Sequence, residues 1–294
     1  MRYRRCTAAS GTRLSIPSSE LLEQVQTALR EPSKLWFPGL APHLVAAFHS
    51  NTRVAGWERS TYGTHRWITA DPAAPRQAAG AVAIGEDAFL VELLPEESKV
   101  ALHDLPIADG VSEDDVAQLR AAVAAISSVG GLAETVASVV WACHVLVADP
   151  GYDVSHSAPD LPLSIFVSIP NAGEPDAVLR LAESLIHEAM HLQLTFIEAV
   201  VPLVKSTEAT AFSPWKGEDR PVQGVLHALY VFAVIREAFS TLAVFHPGAA
   251  PYAVRRSAEI ADEVEAMGNA RPSLTPAGAE LWDRLRVQLK ATAQ

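Results

Sequence analysis

The stretch Leu181-Ala182-Glu183-Ser184-Leu185-Ile186-His187-Glu188-Ala189-Met190-His191-Leu192-Gln193-Leu194 decides how the rest of the chain is read. Leu181, Leu185, Ile186, Ala189, Leu192 and Leu194 leave almost no polar face, so the pattern predicts a helix buried nearly all round. His187 and His191 stand four residues apart on it, one turn and about 40° around the axis. Both imidazoles can therefore meet one ion, which is why HExxH spacing on a helix chelates a divalent metal. Two buried histidines need partners, and a single cation serves both.

The third ligand separates the possible chemistries. Metzincins continue with Gly three residues and His six residues after the second histidine. Here those places hold Leu194 and Ile197, so that class is excluded. Glu208 follows His191 by seventeen residues, near the distance at which a gluzincin places a glutamate, but in a stretch that reads as loop. Glu198 points the same way as the histidine pair yet lies about 10 Å further along the axis, better placed as a group outside the ligands or as a surface residue. His227, inside the apolar run Gly224-Val225-Leu226-His227-Ala228-Leu229-Tyr230, is the other candidate. Arg220 precedes His227 by seven residues. In a continuous helix it would return to the same face and could pair with a carboxylate-bearing ligand.

Outward from this centre, Pro175 suits the start of the buried helix, which is expected to end near Val200. Pro221 opens another helix to about Phe245, and Thr275-Pro276 a last one to about Ala291. Between the first two lies Pro202 to Arg220, expected to be a functional loop. Upstream, Ser112 and Asp115 form a capping-box start for a helix to about Ser127. A helix at Leu132 to Ala142 should follow the Gly130-Gly131 break. His144 to Val147 and Ser164 to Ile169 read as buried strands, joined by a polar loop with Ser155, His156 and Ser157. Of these, His156 is a candidate substrate contact. Asp87 to Leu94 reads as a further strand, Ala70 to Gly80 as a linker, and Pro17 to Arg30 as a helix capped by Ser18 or Ser19.

The expected architecture is mainly α with a small β-sheet (α+β), the HExxH helix packed on a second ligand-bearing helix. Residues 1–105 form an N-terminal α+β region that covers the site or grips a peptide, and residues 106–294 the helical metal-binding catalytic domain. The chain has 34 acidic against 23 basic residues and, apart from Met-Arg-Tyr-Arg-Arg at its start, no basic block, so nucleic acid is excluded as a partner. The longest apolar run, Val225 to Ile235, is stopped by Arg236-Glu237, well short of a membrane span. Cys6 and Cys143 make no disulfide framework and no CxxC pair, and Cys143 is expected to be buried and inert. A cytoplasmic protein without a membrane segment is the expectation.

Three blocks resemble the HExxH-type peptide β-hydroxylases, 2-oxoglutarate-dependent enzymes associated with ribosomally made, post-translationally modified peptides. They are Leu161 to Pro170, Leu181 to Leu194, and Ser213-Pro214-Trp215-Lys216 followed by Asp219-Arg220-Pro221 and Gly224-Val225-Leu226-His227. The middle block is shared by many zinc peptidases. The order and spacing of all three are more specific, although they cover less than a third of the chain. The resemblance implies Fe(II) held by His187, His191 and His227, with 2-oxoglutarate as cosubstrate and its distal carboxylate on Arg220 or Lys216. It also implies hydroxylation at a β-carbon of a peptide residue, the partner being a precursor peptide. Such an enzyme does not need Glu188 as a base. The alternatives are a Zn(II) metallopeptidase with Glu188 as general base, which does, and a non-catalytic, metal-stabilised binding protein.

Overall fold

The computed structural model describes residues 18–31, 34–51, 77–85, 87–94, 99, 102, 105–157 and 163–291. Cys6, the basic opening segment, residues 70–76 of the expected linker, and Leu161 and Pro162 of the first matched block lie outside them.

Helices α1 (Ser18–Arg30) and α2 (Ala41–Asn51) open the chain, followed by strands β1 (Gln77–Ile84) and β2 (Asp87–Leu93). Helices α3 (Glu113–Ser127) and α4 (Leu132–Val139) come next, then β3 (Ala142–Leu146), β4 (Ser155–His156) and β5 (Ser164–Ser168). The carboxyl-terminal half holds α5 (Ala177–Glu198), hairpin strands β6 (Thr210–Ser213) and β7 (Glu218–Pro221), α6 (Val222–Phe245), α7 (Ala250–Ala266) and α8 (Pro276–Ala291). The fold is mainly helical with a small mixed sheet, as the sequence predicts.

The capping box reads correctly. The Ser112 hydroxyl accepts from the Asp115 N–H at 3.1 Å, and the Ser112 N–H donates back to Asp115 Oδ2 at 2.8 Å. The start of α4 rests on Gly131 at φ 75, where a Cβ would come within 3.1 Å of the Pro38 ring. This close approach seats the α1–α2 connection against α4, and the Trp36 indole fastens it by donating to Gly130 O at 2.9 Å.

The sheet runs β1-β2-β3-β5-β4. The pairs β2–β3 and β3–β5 are parallel, and the two edge strands, β1 and β4, are antiparallel to their neighbours. Strands β3 and β5 are buried at every position, which is why they read as unbroken apolar runs rather than alternating ones. Helix α5 lies at the centre, packed on β5, α2, α3, α4 and α6. Its Leu181, Leu185, Ala189, Met190 and Leu194 are fully enclosed. Each such leucine contributes about 1.5–3 kcal/mol through removal of apolar surface from water.

Several expectations are corrected. Gln77 to Gly80, assigned to the linker, belong to β1; small residues suit this strand because Gly80 lies against Val116 of α3. The helix expected to reach Ala142 stops at Val139, and Ala142 already pairs with Ser164 in the sheet. The expected long loop before α6 contains the β6–β7 hairpin, whose turn closes through Gly217 at φ 67 and its N–H to Ser213 O at 2.8 Å. Nor is residue 105 a division of the core. Strands β1 and β2 share one sheet with β3 to β5, and one apolar cluster runs from Leu21 to Leu289.

Among the described residues one helix, α6, is long and apolar enough to cross a membrane, and 61% of its apolar window is buried in the fold. Its hydropathy is that of a core helix.

Candidate metal centre

Two turns of α5 carry His187, Glu188 and His191, and α6 brings His227 alongside. His187 Nε2 and His191 Nε2 lie 3.1 Å apart with their rings inclined at 65°, so the two nitrogens turn towards a common point. Burial holds the His187 imidazolium down to about 4, helped by the nearby Arg256 and Lys216 charges. His191 is likewise held well below its ordinary value, first by burial and then by His187, His227 and His156. Both rings are therefore neutral at physiological pH, the state in which imidazole ligates a metal. The donor chemistry fits a divalent ion. Zn(II) uptake in competition with a chelator is expected to persist down to about pH 5, where an ordinary histidine would be mostly protonated. Uptake that fades already below about pH 6.5 would contradict the neutral pair.

Glu188 faces the sheet side. Its Oε1 accepts from Ser155 Oγ and its Oε2 from Ser157 Oγ, each at 2.6 Å, and Oε1 lies 3.9 Å from His187 Nε2. Burial pushes this carboxyl up to about 7, although both hydroxyls and the Lys216 charge pull the other way. The sequence placed Ser155 and Ser157 in a polar loop without a role. Their function depends on β4 pairing with β5 above α5, which no local pattern reveals.

His227 reaches the pair from behind. Its Nδ1 is 3.2 Å from His191 Nδ1, and its Nε2 is 3.1 Å from Glu198 Oε2, which also accepts from Gln223 Nε2 at 2.6 Å. Glu198 thus sits behind the histidines, as its position along the helix suggested. Among the described residues no three His, Cys, Asp or Glu side chains converge on one point. Glu208 is exposed, its backbone N–H on Ser206 Oγ.

The two cationic candidates part company. Arg220 is strand residue in β7, not helix, so the phase relation to His227 does not apply; its guanidinium is 47% exposed and pairs with Glu218 at 3.1 Å. Lys216, in the hairpin turn, acts electrostatically on both His187 and Glu188. A cleft of 410 Å³ opens beside His187, walled by Ser155 and by Arg180, Phe232, Tyr252 and Arg256, among others. Arg256 is only 17% exposed and lies 5.1 Å over the Phe232 ring, while its Nε donates to Glu183 at 2.8 Å. Trp215 stacks on Phe232 at 4.7 Å, and Phe232 meets His187 edge-on at 5.4 Å. Helix α7, which supplies Tyr252 and Arg256, carried no expectation from sequence. Its arginines are interspersed with Glu259 and Glu263 and read as an ordinary charged helix face.

The remaining sequence candidates are structural or peripheral. Cys143 is buried and its thiol is pushed up to about 12, consistent with an inert core residue. His144 is buried in β3, with Nδ1 3.3 Å from Glu92 O. His156 lies on β4, close enough to His191 to act on it electrostatically.

No protein-family model matches the chain, and no curated protein matches it either.

Proposed function

We propose that this chain is a cytoplasmic Fe(II)- and 2-oxoglutarate-dependent oxygenase that hydroxylates a β-carbon in a ribosomally made peptide. The observation that supports it is two converging imidazoles, one of which, His187, lines a cleft that also holds Arg180, Arg255 and Arg256 among Asp153, Glu183 and Glu259. His187 and His191 would hold the metal. When bound, iron and 2-oxoglutarate would supply the reduction of dioxygen, one oxygen atom passing to succinate as CO2 is released and the other to the C–H bond that becomes C–OH.

The chain's own residues bind, orient and exclude water. A dicarboxylate with its keto-acid end at the histidines has Arg256, which also pairs with Glu183 and Glu259, in the same cleft for its far carboxylate, while the Lys216 charge acts on His187; Arg220 faces Glu218 and solvent instead. Phe232, on which Trp215 stacks, gives that space an apolar wall. Glu188 fits a holding role better than that of a base, because each of its oxygens already accepts a serine hydroxyl. Substituting Arg256 by alanine is expected to raise the KM for 2-oxoglutarate about tenfold or more, the scale of one charge-assisted hydrogen bond, with a smaller effect on kcat. An unchanged KM would remove Arg256 from this role.

The second reading, a zinc peptidase, draws on the same Glu188, whose proton affinity is raised to the range of a general base. Succinate release from 2-oxoglutarate by protein reconstituted anaerobically with Fe(II) or with Zn(II) separates the two. Iron-dependent succinate is the expected result. Zinc-dependent peptide cleavage without succinate, lost in Glu188→Gln, would replace the oxygenase with the peptidase.

A further inference from the structure

The contact between His191 and His227 has the geometry of an in-plane hydrogen bond. Their ring planes differ by 15° and their centres lie 5.4 Å apart, while the two Nδ1 atoms are 3.2 Å apart. A ring nitrogen sits about 1.1 Å from its ring centre by ordinary bond lengths. The nitrogens therefore fall close to the line joining the centres, so the rings meet edge to edge rather than face to face. In such a bond one Nδ1 carries the proton and the other the lone pair.

The far end of the chain decides which. Glu198 Oε2 is an acceptor at 3.1 Å from His227 Nε2, so that nitrogen carries hydrogen. With its one ring proton on Nε2, towards Glu198, His227 would present a lone pair at Nδ1, which assigns the proton of the His191–His227 bond to His191 Nδ1. That leaves His191 Nε2 as a bare lone pair, facing the point it shares with His187 Nε2. Gln223, in the first turn of α6, steadies Glu198, the last residue of α5, at 2.6 Å. The chain thus ties the end of the metal helix to the start of its neighbour.

We propose that His227 is a positioning residue and not a metal ligand: with Glu198 it fixes the tautomer and orientation of His191, so that Nε2 is presented to the ion. This rests on metal binding by His187 and His191 and is independent of which reaction the metal serves. Groups behind a ligating histidine commonly alter metal affinity 10–100-fold by this means.

Two measurements test it. In metal-free protein, imidazole nitrogen NMR should show His191 as the Nδ1–H tautomer and His227 as the Nε2–H tautomer. His191 protonated at Nε2, or His227 as an imidazolium, would overturn the assignment. In chelator competition with Zn(II), His227→Leu, which has no acceptor, should bind about 10–100-fold more weakly. His227→Asn, whose side-chain oxygen stands near the place of Nδ1, should recover most of that loss. The Co(II) absorption spectrum should be alike in wild type and His227→Asn, because the ligand set is unchanged. Equal losses in both variants, with a changed Co(II) spectrum, would make His227 a ligand and overturn the proposal. Absence of Zn(II) uptake by the wild type would overturn it together with the metal reading, whereas uptake with the wrong tautomers overturns the positioning role alone.

Discussion

His187→Ala and His191→Ala are each expected to lower divalent-metal affinity by well over about 100-fold, more than the loss typical of a group behind a ligand. The reason is geometric. The two Nε2 atoms, 3.1 Å apart, are placed to act as a chelate, and removing either leaves one imidazole with no third His, Cys, Asp or Glu among the described residues converging on the same point. His227 contacts His191 through Nδ1, at the other side of the ring from Nε2. Competition with a chromophoric chelator measures the loss, and circular dichroism separates it from unfolding. Variants that retain wild-type affinity would show that the pair is not the metal site, and the oxygenase and peptidase readings would fall together.

Gly278→Ala is expected to destabilise the fold by about 3 kcal/mol or more, at or above the upper end of the usual range for overpacking. A Cβ at Gly278 would stand 2.0 Å from Leu203 O and 2.9 Å from Leu203 C, both backbone atoms that cannot rotate away. The same carbonyl accepts from Thr275 N–H at 3.0 Å, and Thr275 Oγ1 donates to Pro202 O at 2.7 Å. This clamp holds the segment leading from α5 into the hairpin against the start of α8. Its disturbance should therefore be felt at Lys216 and Trp215. Urea unfolding of the metal-free protein gives the magnitude; a change below about 1 kcal/mol would show that the two segments separate easily.

Gly278 shows how the structure can depend on a residue whose role is silent in the sequence. Glycine near the start of a helix reads locally as a weak helix former, and nothing nearby announces a carbonyl 75 residues away pressed against it. The capping box at Ser112, by contrast, involves only residues three apart, and the sequence states it outright. The β6–β7 hairpin falls between these cases. Its turn residues, Pro214 and Gly217, were visible, but β7 is exposed at every position, and in β6, where burial alternates, the buried places hold Ala211 and Ser213 while Phe212 is exposed, so neither strand shows an alternating apolar pattern. The helical phase drawn from Arg220 to His227 failed for the same reason, since Arg220 lies in β7.

What the sequence determined by itself are the features whose cause is periodic or local: the buried α5, the strands β3 and β5, the capping box at Ser112, and the meeting of His187 and His191 one turn apart. A helix has a fixed pitch, so residue spacing alone places those two side chains. The tertiary structure alone decided everything that depends on which elements pack together. It set Ser155 and Ser157 on the oxygens of Glu188, and brought α7 to wall the cleft with Arg256. It also turned His227 towards Glu198 at the back of His191. Such contacts join residues about 30 to 70 positions apart, and their geometry comes from the packing of one apolar core, which no single segment encodes.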